Sequence, residues 1–242
     1  MAKFRLTAET KVWFGRTLYR IEALIDFGSV KAGDKGGFVE KAENIAEDGD
    51  AWVSGNARVY GDAWVSGNAR VYGNAWVSGN ARVYGNARVY GDARVYGDAR
   101  VYGDARVYGD ARVYGDARVY GDARVYGDAR VYGDAWVYGD ARVYGDARVY
   151  GDARVSGDAQ VSPVNIIGLT YNVTIIDRHM QIGCEFHLIS EWEAFDDRRI
   201  AEMDGTTSAR FWKKFGAMLI GLCREERPEA FEAEKPSEKE AV

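Results

Sequence analysis

Four side chains in this 242-residue chain have the chemistry of zinc ligands: His179, Cys184, His187 and Cys223. Zinc takes such nitrogen and sulfur donors in a tetrahedron, and Cys184-x-x-His187 forms a close pair. Yet Cys184 follows Ile182-Gly183 in an expected strand, and Cys223 falls on the apolar face of an expected helix. Buried structural thiols suit both positions better, and the paired spacings of zinc motifs are incomplete. Glu191, Glu193, Asp196 and Asp197 read as a charged helix face rather than an acid–base pair. Gly33-Asp34-Lys35-Gly36-Gly37 has the glycine content of a phosphate loop but lacks the Gly-x-x-x-x-Gly-Lys-Ser/Thr spacing, and no helix pattern follows it. It reads as a turn. No cofactor and no metal are expected.

The side chains that recur most are Arg and Tyr, in the phrase Gly-Asp/Asn-Ala-Arg-Val-Tyr between residues 49 and 162. It runs through 19 hexapeptides without insertion or deletion, and the seven from Gly91 to Tyr132 are identical. Arg beside Tyr is the composition enriched where proteins meet partners, and Arg106 and Tyr108 represent this surface. Trp52, Trp64, Trp76 and Trp136 replace Arg and are candidate contacts, as are His187 and Trp192 outside the coils. A catalytic pocket needs different residues at different places, which identical copies cannot supply. The repeats carry 14 Arg and 14 Asp, so their net charge is zero and the overall −5 comes from the flanks. That balance argues against nucleic-acid binding.

A fixed six-residue period predicts a solenoid. Ala and Val, two apart, share one side of a strand and point inward, while Arg points out. Gly supplies a corner, and the Asp/Asn after it is expected to bond the turn backbone. Residues 1–48 read as a β-rich cap over the open end, with strands at Phe4–Leu6, Val12–Phe14 and Leu18–Ile25 and a hairpin turn at Gly15-Arg16. Residues 163–223 read as a strand–helix module: strands at Val164–Ile167, Tyr171–Ile176 and Met180–Phe186, and a helix of about twelve residues opening at Ser190-Glu191-Trp192-Glu193. Gly205 ends that helix, and a second carries Phe211, Trp212, Phe215, Met218, Leu219, Leu222 and Cys223. Residues 224–242 read as a disordered acidic tail. No apolar run approaches a membrane span, no secretory signal is present, and two cysteines fit a reduced, cytoplasmic protein.

The Val-x-Gly-Asp/Asn-Ala-x pattern resembles the hexapeptide repeat of left-handed parallel β-helices, the trimeric LpxA-like superfamily. The wider chain order looks like uncharacterised hexapeptide-repeat proteins of bacteria and their phages. The resemblance implies a mainly β chain, with a left-handed parallel β-helix of about six coils between a β-rich N-terminal cap and a C-terminal β-hairpin plus two-helix module. Three hexapeptides per coil would place equivalent residues 18 apart, so Arg88, Arg106, Arg124 and Arg142 form one column, compensated by Asp and Tyr columns. Trp52 then lies on one face, Trp76 on a second, and Trp64 with Trp136 on the third. Family acyltransferases resemble one another in a coil histidine and γ-class carbonic anhydrases in three zinc-binding histidines, whereas both histidines here lie outside the coils. The expectation is therefore a non-enzymatic structural or binding scaffold, a homotrimer with a host macromolecule, in one form a protein, as partner. The rivals are an acyltransferase-like enzyme using His187 and sequestration of a small nucleotide between protomers by Arg and Tyr.

Overall fold

Each hexapeptide of the described coils builds one strand and one corner. The strand is the Arg-Val or Trp-Val pair, and Gly takes the positive φ of the corner, 61–71° from Gly49 to Gly151. The computed structural model describes residues 2–151, 153–156, 164–166, 168–176 and 178–231. They divide into two units, residues 1–163 and 164–242.

In the first unit, strands 18 residues apart pair in parallel, with Arg88 opposite Arg106 and Val89 opposite Val107. The result is a parallel β-solenoid of about six turns with three sheets. One sheet carries Trp52, Arg70, Arg88, Arg106, Arg124 and Arg142 (the Trp52 face). The Trp76 face carries Arg58, Trp76, Arg94, Arg112, Arg130 and Arg148. The Trp64 face carries Trp64, Arg82, Arg100, Arg118, Trp136 and Arg154. The expected columns therefore form.

From Asn68 to Tyr108 three bonds per hexapeptide tie coil to coil. Asn86 N–H donates to the Gly103 carbonyl at 2.8 Å, Arg88 N–H to Ala105 at 2.9 Å and Tyr90 N–H to Val107 at 3.0 Å. The backbone polar groups next to the core are thereby satisfied by the next coil. Ala and Val fill the interior, none more than 3% exposed from Ala51 to Val155. The corners stack as closely as the strands: a Cβ on Gly121, at φ 70°, would stand 2.9 Å from the Gly139 nitrogen.

The N-terminal segment forms a meander of β1 (Phe4–Trp13), β2 (Arg16–Ala23) and β3 (Lys35–Val39). β3 runs parallel to Arg58-Val59, so the meander extends the Trp76 face as one nine-stranded sheet. The turn between β1 and β2 is Phe14-Gly15, one residue earlier than expected; both have positive φ, 47° and 74°, the hairpin geometry that matches strand twist. Two buried polar side chains serve the carbonyls of the first coil. Asn44 Nδ2 donates to Gly61 and Ala63 at 3.0 and 2.9 Å, and Lys3 Nζ donates to Ala51 at 3.1 Å. Burial lowers the Lys3 pKa, while Glu47, Asp48 and Asp50 pull it back up. The glycine-rich stretch is a packing device: a Cβ on Gly37 would meet the Ala57 carbonyl oxygen and Val53 Cγ1, both at 2.7 Å.

The second unit is a four-stranded antiparallel sheet with two helices, one strand more than the three expected. Its strands are Val164–Ile166, Val173–Ile176, His179–Ile182 and Glu185–Leu188. The expected Met180–Phe186 strand breaks at Gly183, φ 60°, which turns Cys184 out to solvent instead of burying it. Helix α1 (Ile189–Ala194) starts before Ser190, and the Glu191 carboxylate takes the Leu188 N–H at 2.9 Å. Helix α2 (Asp197–Glu226) follows after two residues because Asp196 caps it, accepting from Arg199 N–H at 2.8 Å. The expected helix from Ser190 is thus two pieces. α2 breaks at Asp204-Gly205, where glycine ends the first segment as its φ of 58° requires. Its second segment continues past Cys223 to Glu226, and a 3-10 turn spans Pro228–Phe231. The exit at Pro163, the turn residue Asp177 and the tail from residue 232 lie outside the described residues.

Candidate functional site

The strand spacing that builds the solenoid also sets its surface. Tyr72, Tyr90, Tyr108 and Tyr126 stack ring on ring at 4.8–4.9 Å, with planes within 2–3° of parallel. Tyr84, Tyr102 and Tyr120 form a second stack, and Tyr96, Tyr114 and Tyr132 a third. Burial, then the neighbouring phenols, push the pKa of Tyr102, Tyr108 and Tyr114 up, while flanking Arg side chains oppose the shift. These three phenols are thereby held in the neutral form.

The Arg columns run beside these stacks. Among the described residues, and setting Arg148 aside, no coil Arg has a carboxylate within 4.0 Å, so the expected Asp compensation is not made by contact ion pairs. Inside the stacks the Tyr faces are taken by neighbouring Tyr rings, which removes them from the Arg. The tryptophans are the exceptions: the Arg118 and Arg154 guanidiniums lie 4.7 and 5.0 Å from the Trp136 ring, and that of Arg94 lies 5.0 Å from the Trp76 ring. The Asn/Asp corner residues also bond across coils: Asn68 Nδ2 donates to Asn86 Oδ1 at 3.1 Å, and Asn86 Nδ2 to Asp104 Oδ1 at 3.1 Å. The amide supplies a donor that a second carboxylate lacks.

Arg106 and Tyr108 thus belong to one continuous ladder on the Trp52 face. At its N-terminal end the Asp26–Asp34 loop overhangs the coils, and Arg70 Nη1 donates to Ser29 Oγ at 2.9 Å. A groove of about 740 Å³ lies there, lined by Asp50, Asn68, Arg70, Asn86 and Arg88. Sequence reading missed it. The signal available was Asn at 68 and 86 where Asp is the commoner residue.

The tryptophans divide by environment. Trp52 is 4% exposed, packed between Phe4 and Phe27, and offers no surface to a partner. Trp76 lies under the hairpin tip, against Trp13 at 6.0 Å and Phe14 at 5.8 Å. Beside it the Arg58 guanidinium sits 3.9 Å from the Trp13 ring, and burial lowers its pKa. Trp64 is 39% exposed and is the tryptophan most open to contact.

These coils match the YdcK beta solenoid repeat. The matched residues are 51–139 and 147–162, in eleven segments. The YdcK-type likeness is confined to the coils and covers less than half of the chain, so the flanking modules stand outside it. No curated protein matches the chain.

Outside the YdcK-type coils, His187 and Trp192 come together. The His187 ring meets Trp192 edge-on at 5.3 Å, and its Nε2 lies 3.0 Å from Glu185 Oε2. Trp192 is buried, with Nε1 donating to the Met180 carbonyl at 2.6 Å. His179 stacks on Phe186 and burial lowers its pKa. Cys184 is exposed, whereas Cys223 is buried and its thiol pKa is pushed up to about 11. Among the described residues no three His, Cys, Asp or Glu side chains stand together as a metal site. No described helix is long and apolar enough to cross a membrane.

Proposed function

We propose that this chain is a non-enzymatic binding scaffold whose solenoid presents a rigid Arg/Tyr ladder to a protein partner. The observation that carries the reading is the Tyr stack of the Trp52 face, its rings held at 4.8–4.9 Å beside an Arg column without contact ion pairs. The rings are held in place by the stack before a partner arrives, so less conformational entropy is lost on binding. The identity of the seven central hexapeptides favours a periodic surface over a unique pocket. The hexapeptide pattern further supports a left-handed coil of the LpxA-like kind and a homotrimer with parallel axes. A bacterial or phage protein acting in the cytoplasm on a host component is the biological form of this reading.

The test compares the parent chain with Arg106→Glu/Arg124→Glu by quantitative capture from a bacterial host extract, alongside oligomer mass. Loss of one partner with unchanged melting supports the ladder. The same proteins retained at the same level by both chains contradict it, as does acyl-CoA-dependent turnover abolished by His187→Ala.

A further inference from the structure

The C-terminal unit holds a partly open cavity of about 190 Å³ that the ladder does not use. Tyr171, Trp192, Phe211 and Trp212 line it. Tyr171 meets Phe211 edge-on at 5.1 Å, and Trp192 lies beside Trp212 at 5.3 Å. The Trp192 nitrogen is already bonded to Met180, so this indole offers the cavity its ring alone. Two carboxylates, Glu185 and Asp204, stand among the lining residues, and no Lys, Arg or His does.

Backbone geometry places one of those carboxylates. Asp204 has φ −154° and ψ 41° and Gly205 φ 58°, a break inside α2. Ser208 Oγ holds the break, accepting from Asp204 N–H at 3.2 Å and donating to the Ile200 carbonyl at 2.7 Å. A straight helix would bond these groups internally; here the interruption leaves the Asp204 side chain at the cavity, where the Tyr171 phenol donates to its Oδ2. Glu185 is held from the other side by His187.

We infer that this cavity binds a small organic ammonium ion, with its apolar body among the rings and its nitrogen at Asp204 and Glu185. Ring faces attract a cation, and carboxylates give it charge-assisted hydrogen bonds. An anion would meet two negative groups and no positive one. The volume is below the 300 Å³ or so at which drug-sized pockets begin, so the ligand is small.

Phenethylammonium is a suitable probe, with 2-phenylethanol and 3-phenylpropionate as its neutral and anionic counterparts. Titration of the full chain by calorimetry and tryptophan fluorescence is expected to rank the ammonium about tenfold tighter than the alcohol, with the carboxylate weakest. Asp204→Asn should weaken the ammonium about tenfold and leave the alcohol unchanged. The ammonium should also slow alkylation of Cys184, the exposed thiol in the lining. Equal affinity for all three probes, no binding of the ammonium at millimolar concentration, or an unaltered Asp204→Asn variant would overturn the inference. If Asp204→Asn loses its fold, Glu185→Gln takes its place: selective weakening of the ammonium supports the site, and unaltered binding overturns it.

Discussion

Tyr90 lies flat over Tyr108, with ring centroids 4.9 Å apart and planes 3° from parallel. That distance is the spacing of neighbouring strands, so the backbone and not the rings sets the ladder. The stack occupies the phenol faces and leaves the guanidiniums of Arg88 and Arg106 beside it. These phenols sit above their ordinary pKa because burial and neighbouring phenols disfavour the phenolate. A group raised in the folded state keeps its full stabilisation below the unfolded value near 10 and loses it as pH rises through the folded value. Ultraviolet titration of the coils should therefore place ladder phenolate formation above that of free tyrosine, and the unfolding free energy should fall from about pH 10 upward. Titration at the free value would contradict the stack.

Corner glycines should differ in cost. Gly121→Ala forces a Cβ to 2.9 Å from the Gly139 nitrogen at φ 70°, whereas a Cβ on Gly145 at φ 61° meets no atom of the described residues within 4 Å. Both substitutions carry the left-handed penalty of about 1–2 kcal/mol, and Gly121→Ala adds the clash. Urea denaturation should find Gly121→Ala the less stable by at least about 1 kcal/mol.

Trp76 and Trp64 should also part company. Trp76→Arg restores the commoner residue but removes two aromatic contacts to the hairpin tip, at a cost of about 1–3 kcal/mol. Proteolysis near Phe14 should accelerate in that variant. Trp64→Arg, at an exposed position, should stay within about 0.5 kcal/mol of the parent.

What the sequence made legible was whatever depends on parity and period. Inward Ala and Val, the column of Arg88, Arg106, Arg124 and Arg142, and the three-way split of the tryptophans all follow from an uninterrupted six-residue repeat. Contacts across non-repeating segments were not legible. The cover of Trp13 and Phe14 over Trp76 depends on the length and twist of the β1–β2 hairpin, and Trp52 is buried by aromatics from residues 4 and 27. Cys184 looked like a core thiol until the Gly183 turn placed it outside, and Asn68 bonds the next coil instead of its own corner. The cavity at Asp204 rests on a helix break whose glycine was visible, but its aromatics come together from the loop before the Val173–Ile176 strand, from α1 and from α2.

The claim that the ladder itself is the binding surface is tested most directly by removing one turn. Residues 109–126 are three identical hexapeptides, and deleting them keeps the sheet register and leaves Trp136 on the Trp64 face. Affinity for the captured partner is the quantity to measure, with melting as the control for fold. A folded chain that binds the partner more weakly than the parent is the expected result. Equal affinity would make the coils a spacer and contradict the account.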